Sequence, residues 1–325
     1  MSETTVESLK RWQRNIPDPS MVEAQLLRRS IRVIVHGDAD YPTRLDDLPQ
    51  PPLAIFVSGR CNDIHHLFAA ESVVSIVGTR RASSYGLEAT RWVAGTVGAH
   101  GWHVVSGLAL GVDVCAHESV LRVQGVTSAV LASGVDLCYP VNHRRTYEAI
   151  KTSGCLVSEY PPGTPVAKHR FPERNRLIAA LASVVIVIQA GEKSGALGTA
   201  EIALELGRDI YAVPGPITSV HYRGSNRLLA DGAAVLLNPE EFLGSHSDFV
   251  PSQSLTPVPP ERWRVLYEAL EEPLSAGALA TKLGVPVSHV YAGLLELELE
   301  GWIERQSGAV YGRKLQNLHP NSARC

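Results

Sequence analysis

Five segments of the chain place glycine, hydroxyl and cationic side chains at spacings suited to holding phosphate. In VGTRRASSYG, residues 77 to 86, Gly78 lets the backbone approach an anion, and Arg80 adds a planar fork of donors. Thr79 and Ser83 offer hydroxyls, and Gly86 closes the run as a helix begins near Ser84. In SGLALGVDVCAH, residues 106 to 117, Ser106, Gly107 and Gly111 allow a second tight turn. Asp113 and His117 lie four apart on one helix face, where they either orient a ligand or serve as a capping and packing pair.

LASGVDLCYPVNHRRTYEAI, residues 131 to 150, bends sharply at Pro140 and then supplies Asn142, His143, Arg144 and Arg145 at a helix start. Tyr139 before them either stacks on a base or sugar or packs as a core tyrosine. FPERNRLIAALA, residues 171 to 182, reads as a helix with Arg174, Asn175 and Arg176 in its first turns. Cations there oppose the helix dipole unless an anion sits among them. In GEKSGALGTAEIALELG, residues 191 to 207, Lys193 and Ser194 imitate a P-loop, but position 192 is Glu and the first glycine is missing. Nucleoside triphosphate hydrolysis is therefore not expected. With no G-x-G-x-x-G after the first core strand, neither is a dinucleotide cofactor.

The elements that must position these loops alternate along the chain. Apolar, β-branched runs at 73–77, 103–106, 126–131, 155–160, 184–189, 210–213 and 234–237 are separated by helical stretches, which predicts an α/β, Rossmann-like, mostly parallel sheet with helices on both faces. Runs at 31–35 and 53–57 add strands at an edge. All the glycine-bearing loops then follow strand carboxyl ends, where an open parallel sheet forms its ligand crevice. Residues 1–30 form a lead-in with a short helix, 31–243 the core, and 244–260 a Ser- and Pro-rich linker. Residues 261–315 give three helices and a hairpin, a small C-terminal winged-helix domain, followed by a tail at 316–325.

The formal charge of −3 conceals a basic stretch at 144–176, with seven cations against three acids. Residues 261–312 carry eight acids and four bases, and the third helix, VSHVYAGLLELELE, has no Lys or Arg. Phosphates would be repelled there, so a protein-contact or regulatory role is expected for the winged helix. Five widely spaced cysteines without a C-x-x-C pair predict reduced thiols and no metal site. No apolar run approaches the roughly 18 residues that span a bilayer, and the first residues lack a secretory h-region, so the expected location is the cytoplasm.

VSIVGTR, SGLALGVD, VLASGVDLCYP, LVSEYPPG, FPERNRLIAAL, SGALGTA and YAVPGPI follow one another in the order of the DNA-processing protein A (DprA/Smf) family, which the chain resembles over about residues 31 to 240. The resemblance implies a homodimer that binds single-stranded DNA, loads RecA recombinase onto incoming DNA in natural transformation, and has no catalytic residues. It assigns Arg80 to the family's DNA-contacting arginine. The sequence departs from the family pattern at Leu110 (usually Arg), Val141 (basic in some members), Gln189 (commonly Glu) and Gly198. An alternative follows from GALGTAE, residues 195 to 201, which approaches the motif of nucleoside-monophosphate phosphoribohydrolases of the related lysine-decarboxylase-like fold. There Glu201 would assist glycosidic cleavage of a nucleotide held by Thr199 and Arg80.

Overall fold

Val73, Val74, Ile76 and Val77 are all buried, and they alternate between two hydrophobic clusters. A strand buried on both faces demands a covered parallel sheet, and the structure, a computed structural model describing residues 19–60, 64–246, 260–306 and 308–313, has one. Its nine strands are β1 (Ile31–Val35), β2 (Ala54–Gly59), β3 (Val73–Val77), β4 (His103–Ser106), β5 (Thr127–Val130), β6 (Cys155–Ser158), β7 (Val184–Val187), β8 (Asp209–Ala212) and β9 (Ala234–Val235). They lie in the order β1-β2-β6-β5-β4-β3-β7-β8-β9. From β6 to β9 every pairing is parallel, and only the β1–β2 hairpin adds antiparallel strands. The mostly parallel sheet with two added edge strands is the architecture that the apolar runs predict.

Helices α1 (Pro19–Arg28) and α2 (Ile64–Ala69) accompany the hairpin. Along the core follow α3 (Ser84–Ala99), α4 (Val112–Arg122), α5 (Arg144–Ser153), α6 (Arg170–Leu181), α7 (Gly195–Glu205), α8 (Arg223–Ala230) and α9 (Pro239–His246). Val74 and Ile76 pack with Val93, Val97, Val112 and Ala116, which sets α3 and α4 on one face. Val73 and Val77 pack with Leu177, Leu181 and Ala200, which sets α6 and α7 on the other. From β3 the chain adds β4, β5 and β6 toward one edge, then returns to β3's other side for β7 and β8. Keeping one crossover hand while reversing direction forces the helices to change face at that point. The loops after β3 and β7 therefore part in opposite directions and leave a crevice between them.

Hydroxyls inside the sheet have partners. Ser75 donates to the Ile178 carbonyl at 2.6 Å, Ser106 to Ile76 at 2.6 Å, and Thr127 to Val104 at 2.9 Å. Such bonds let polar residues sit at zero exposure without the cost of an unpaired group.

Residues 260–313 form their own cluster around Leu266, Leu279, Val290, Leu294, Leu297 and Ile303. Helices α10 (Arg264–Glu268), α11 (Ala276–Leu283) and α12 (Val287–Leu299) pack there with β10 (Leu274–Ser275), β11 (Ile303–Gln306) and β12 (Val310–Arg313), in the order β10-β12-β11. This is the expected winged helix. Its α12 turns Tyr291, Leu295 and Leu299 outward beside Glu298. Among the described residues no helix is long and apolar enough to cross a membrane.

Two buried histidines make the fold sensitive to acid. His103 shares a hydrogen bond with the Ser128 hydroxyl at 2.8 Å, and His117 one with the Thr127 hydroxyl at 2.7 Å. Burial lowers His103 to about 4, and burial with the Arg174 charge lowers His117 to about 3. In the unfolded chain both titrate near 6.5, so below that pH the unfolded state binds more protons. Their stabilisation is complete above about pH 6.5 and is lost as pH falls toward 4 and then 3. Urea unfolding should show a lower midpoint at pH 5 than at pH 7.5, and His103→Asn should lose less over the same step. Equal midpoints at the two pH values would show that these rings are not held neutral.

Candidate nucleic-acid interface

The crevice at the strand-order reversal is a groove of about 670 Å³. One wall is the turn after β3, Gly78 to Arg81; the other is built from α6 and from the Lys193–Thr199 stretch that opens α7. Local structure fixes the first wall closely. A side chain at Gly78 would come within 2.5 Å of Val112, so glycine lets the turn settle on α4. The Thr79 N–H donates to the Gln189 carbonyl at 2.7 Å, tying the β3 turn to the end of β7.

Arg80 emerges from this turn exposed, and its guanidinium lies over the Phe171 ring at 4.5 Å. Phe171 in turn lies 6.2 Å from the ring of Tyr139, which is half-exposed. Arg80 and Phe171 form a partition: on one side lies the basic groove, on the other a small pocket of about 50 Å³ that also touches Tyr139 and Leu110. The groove gathers Arg80, Arg81, Lys168, Arg174 and Lys193 around a single carboxylate, Asp113. Burial pushes the Asp113 carboxyl up while the Arg174 charge pulls it down.

The other predicted residues divide by position. Asn175 lines the groove, and its amide donates to the Gly195 carbonyl at 3.3 Å. Arg174 lines it too, but from within: it is 4% exposed and donates to the Val130 carbonyl at 2.5 Å. Burial brings its pKa down to about 10 against the opposing pull of Asp113, so it remains a cation at neutral pH. Gly107 makes the seat for this guanidinium, because a Cβ there would overlap it. Helix α6 begins at Arg170, one residue before the stretch read as helical, and Arg174 to Arg176 fall in its second turn. Their placement is explained by internal partners. Arg176 pairs with Glu159 at 2.5 Å and donates to the Gln50 carbonyl at 2.9 Å, away from the groove.

Ser83 caps α3, accepting from the Gly86 N–H at 3.1 Å, and shares a hydrogen bond of 2.5 Å with the Tyr222 hydroxyl. Its N–H and hydroxyl both donate to Gln189 Oε1. Gly86 leaves room for that Gln189 amide. Ser83 and Gly86 thus lock the β3 turn rather than face the groove. Ser106 is spent inside the sheet, and His143 is buried with Nδ1 bonded to the Leu108 carbonyl at 3.1 Å. Asn142, on the connection after β5, and Arg144 and Arg145, which open α5, are exposed outside the groove lining, with Arg144 paired to Glu148 at 3.2 Å. Asp113 and His117 take the packing role: the first accepts from the Ala109 N–H at 3.4 Å, and the second is buried against Thr127.

Arg81, Lys168, Phe171, Lys193 and His221 also line the two cavities without a site role in the motif reading, and Thr199, which the hydrolase alternative sets on a nucleotide, lines the groove. A signal for Lys193 was available, since it follows a strand carboxyl end just before a helix, the position a P-loop lysine takes. Lys168 and Phe171 enter only because the loop after β6 folds over the crevice, which no local spacing encodes.

The DNA recombination-mediator protein A family model matches residues 32–246, and a DprA winged-helix model matches 250–309. The chain belongs to the DNA recombination-mediator protein A family. Its similar curated relatives include protein Smf of Escherichia coli K12, 35% identical over 93% of this chain and 83% of that one. The putative DNA processing protein DprA of Mycobacterium tuberculosis is 35% identical over 87% and 77%. Among solved structures, DNA processing protein A of Streptococcus pneumoniae superposes with a TM-score of 0.65 at 31% identity, covering 74% of this chain and 81% of that one. DNA processing protein A of Helicobacter pylori, described for its single-stranded DNA binding mode, gives 0.59 at 30% identity, covering 66% and 94%. The chain is therefore a DNA processing protein of this family, and its departures can be located in the fold. Leu110 is half-exposed beside the small pocket, and Val141 is exposed on the β5 loop.

Gly107→Ala should force the Arg174 guanidinium from its seat. Overpacking of this kind costs about 1–3 kcal/mol, read as a lower urea midpoint. An unchanged midpoint would mean that the seat is not tightly filled.

Proposed function

We propose that the chain binds single-stranded DNA in the groove between β3 and β7, protects it, and loads RecA recombinase onto it during natural transformation. The observation that carries the binding is five cationic side chains converging on one groove, with aromatic rings along the Arg80 partition. Phosphates suit the cations, and unpaired bases suit the rings, since stacking tolerates any base but requires it to be free of a duplex. The Helicobacter pylori relative, described for its single-stranded DNA binding mode, supports the same ligand. RecA loading, a homodimeric state and a cytoplasmic location rest on the family resemblance. Within the site, Arg80, Arg81, Lys168 and Lys193 contact phosphates, Phe171 and Tyr139 stack, and Arg174 sets the floor.

The hydrolase reading is not favoured, because Glu201 is exposed on α7 and does not line the groove. The winged helix contributes little to the phosphate field. Its Glu296 accepts from the Trp263 ring N–H at 2.8 Å and pairs with Arg262, while Glu298 and Glu300 remain exposed on a helix without cations.

A salt titration with a single-stranded oligonucleotide tests the proposal. Affinity should fall with a log–log slope of about −0.7 per phosphate neutralised, and Arg80→Ala should reduce the slope by about 0.7. Phe171→Ala should cost about 1–3 kcal/mol of binding while leaving the slope in place. Salt-insensitive binding, or an Arg80→Ala protein that behaves as the parent, would remove the groove as the DNA site.

Glu298→Gln with Glu300→Gln should change single-strand affinity less than about twofold, since exposed charges beyond a Debye length of about 8 Å are screened. A larger change would make the winged helix part of the reader.

A further inference from the structure

Resting on the groove as the DNA site, we propose that its deep end is a subsite for a phosphomonoester, so that the protein prefers a strand carrying a terminal 5′-phosphate. Thr199 lies in the first turns of α7, is 1% exposed and lines the groove, and its hydroxyl makes no hydrogen bond among the described residues. Arg174 lines the same groove at 4% exposure, its guanidinium seated over the ends of β4 and β5. A hydroxyl so enclosed and without a protein partner is costly unless a ligand supplies an acceptor. Thr199 sits in the second turn of α7, an 11-residue helix whose dipole favours an anion at its amino end.

The shape of the groove selects which phosphate fits. Arg81, Lys168 and Lys193 are exposed at its mouth, whereas Val77, Ile178, Ala196 and Thr199 at its base are buried. A phosphodiester inside a strand carries chain on both sides, so it must enter and leave and is confined to the mouth. A monoester has chain on one side only and can reach a closed base. It also carries about −1.5 to −2 charges at neutral pH, against −1 for a diester. That extra charge is matched by the α7 dipole, by Lys193 just before that helix and by the Arg174 charge in the groove lining. No bond is made or broken: the site holds the end of a strand.

The same chemistry is offered by a strand end and by a free mononucleotide, and competition separates the two. Affinities of the full chain would be measured for one 3′-labelled thymidine 12-mer with a 5′-phosphate and one with a 5′-hydroxyl, with thymidine 5′-monophosphate and thymidine as competitors. The phosphorylated strand should bind at least about fivefold more tightly, and Thr199→Val should move that ratio toward one. Because the ratio is the readout, general loss of folding or affinity does not imitate the effect. Displacement by the monophosphate but not by thymidine, with a ratio of one for the oligonucleotides, supports the subsite with a free nucleotide as its occupant. A ratio of one together with no displacement overturns the subsite, while tight binding of the 5′-hydroxyl strand in that case leaves the groove itself as the DNA site. Failure of both strands to bind removes the DNA site instead.

Discussion

The guanidinium of Arg174 crosses the carboxyl ends of the strands from α6 to the Val130 carbonyl at the end of β5, passing over Gly107 at the end of β4. A charge so deeply buried is tolerated only where its surroundings are fixed, because desolvation opposes the ion and the compensating groups must be in place. Asp113 supplies the opposite charge, and Gly107 supplies the space. The floor of the groove therefore depends on residues from three segments that are far apart in sequence. The exposed cations above it are less constrained, and Arg80 is steadied instead by the face of Phe171.

Around this floor, hydroxyls and amides that resemble ligands have structural work. Gln189 is the clearest case: from the end of β7 it accepts from the Ser83 N–H and hydroxyl, and its main chain accepts from Thr79. With Tyr222 it makes one network that sets the β3 turn at a constant distance from the β8 loop. Under the proposed function, phosphate recognition falls to side chains that the network leaves free. Buried polar residues hold shape, and exposed cations hold charge.

The sheet was legible in the sequence because strands buried on both faces write continuous apolar runs, and the runs from Val73 to Val187 do so. The crevice was legible too, since its position follows from glycine turns at strand ends. What single residues do there was less so. Ser83 and Lys193 both sit in glycine-rich turns before helices, yet one is consumed as a cap and the other lines the groove. Arg176 and Arg174 are two residues apart on α6, and the difference between them is set by Glu159 and Gln50 on one side and Val130 on the other. Such partners come from tertiary contact, which spacing along the chain does not carry.

The change of helix face at β3 has a mechanical corollary. Arg80 belongs to the turn leading into α3 on one face, while Phe171 and Lys193 belong to α6 and the turn before α7 on the other. Anything that fills the groove spans both helical layers and acts as a clamp across the top of the sheet. Binding energy is thereby linked to resistance against shear between the layers, in proportion to RT ln(1 + [L]/Kd). With DNA in the groove as proposed, that clamp is made of phosphate contacts, so the rigidity of the loaded protein becomes a function of ionic strength, whereas the rigidity of the empty protein rests on its apolar core.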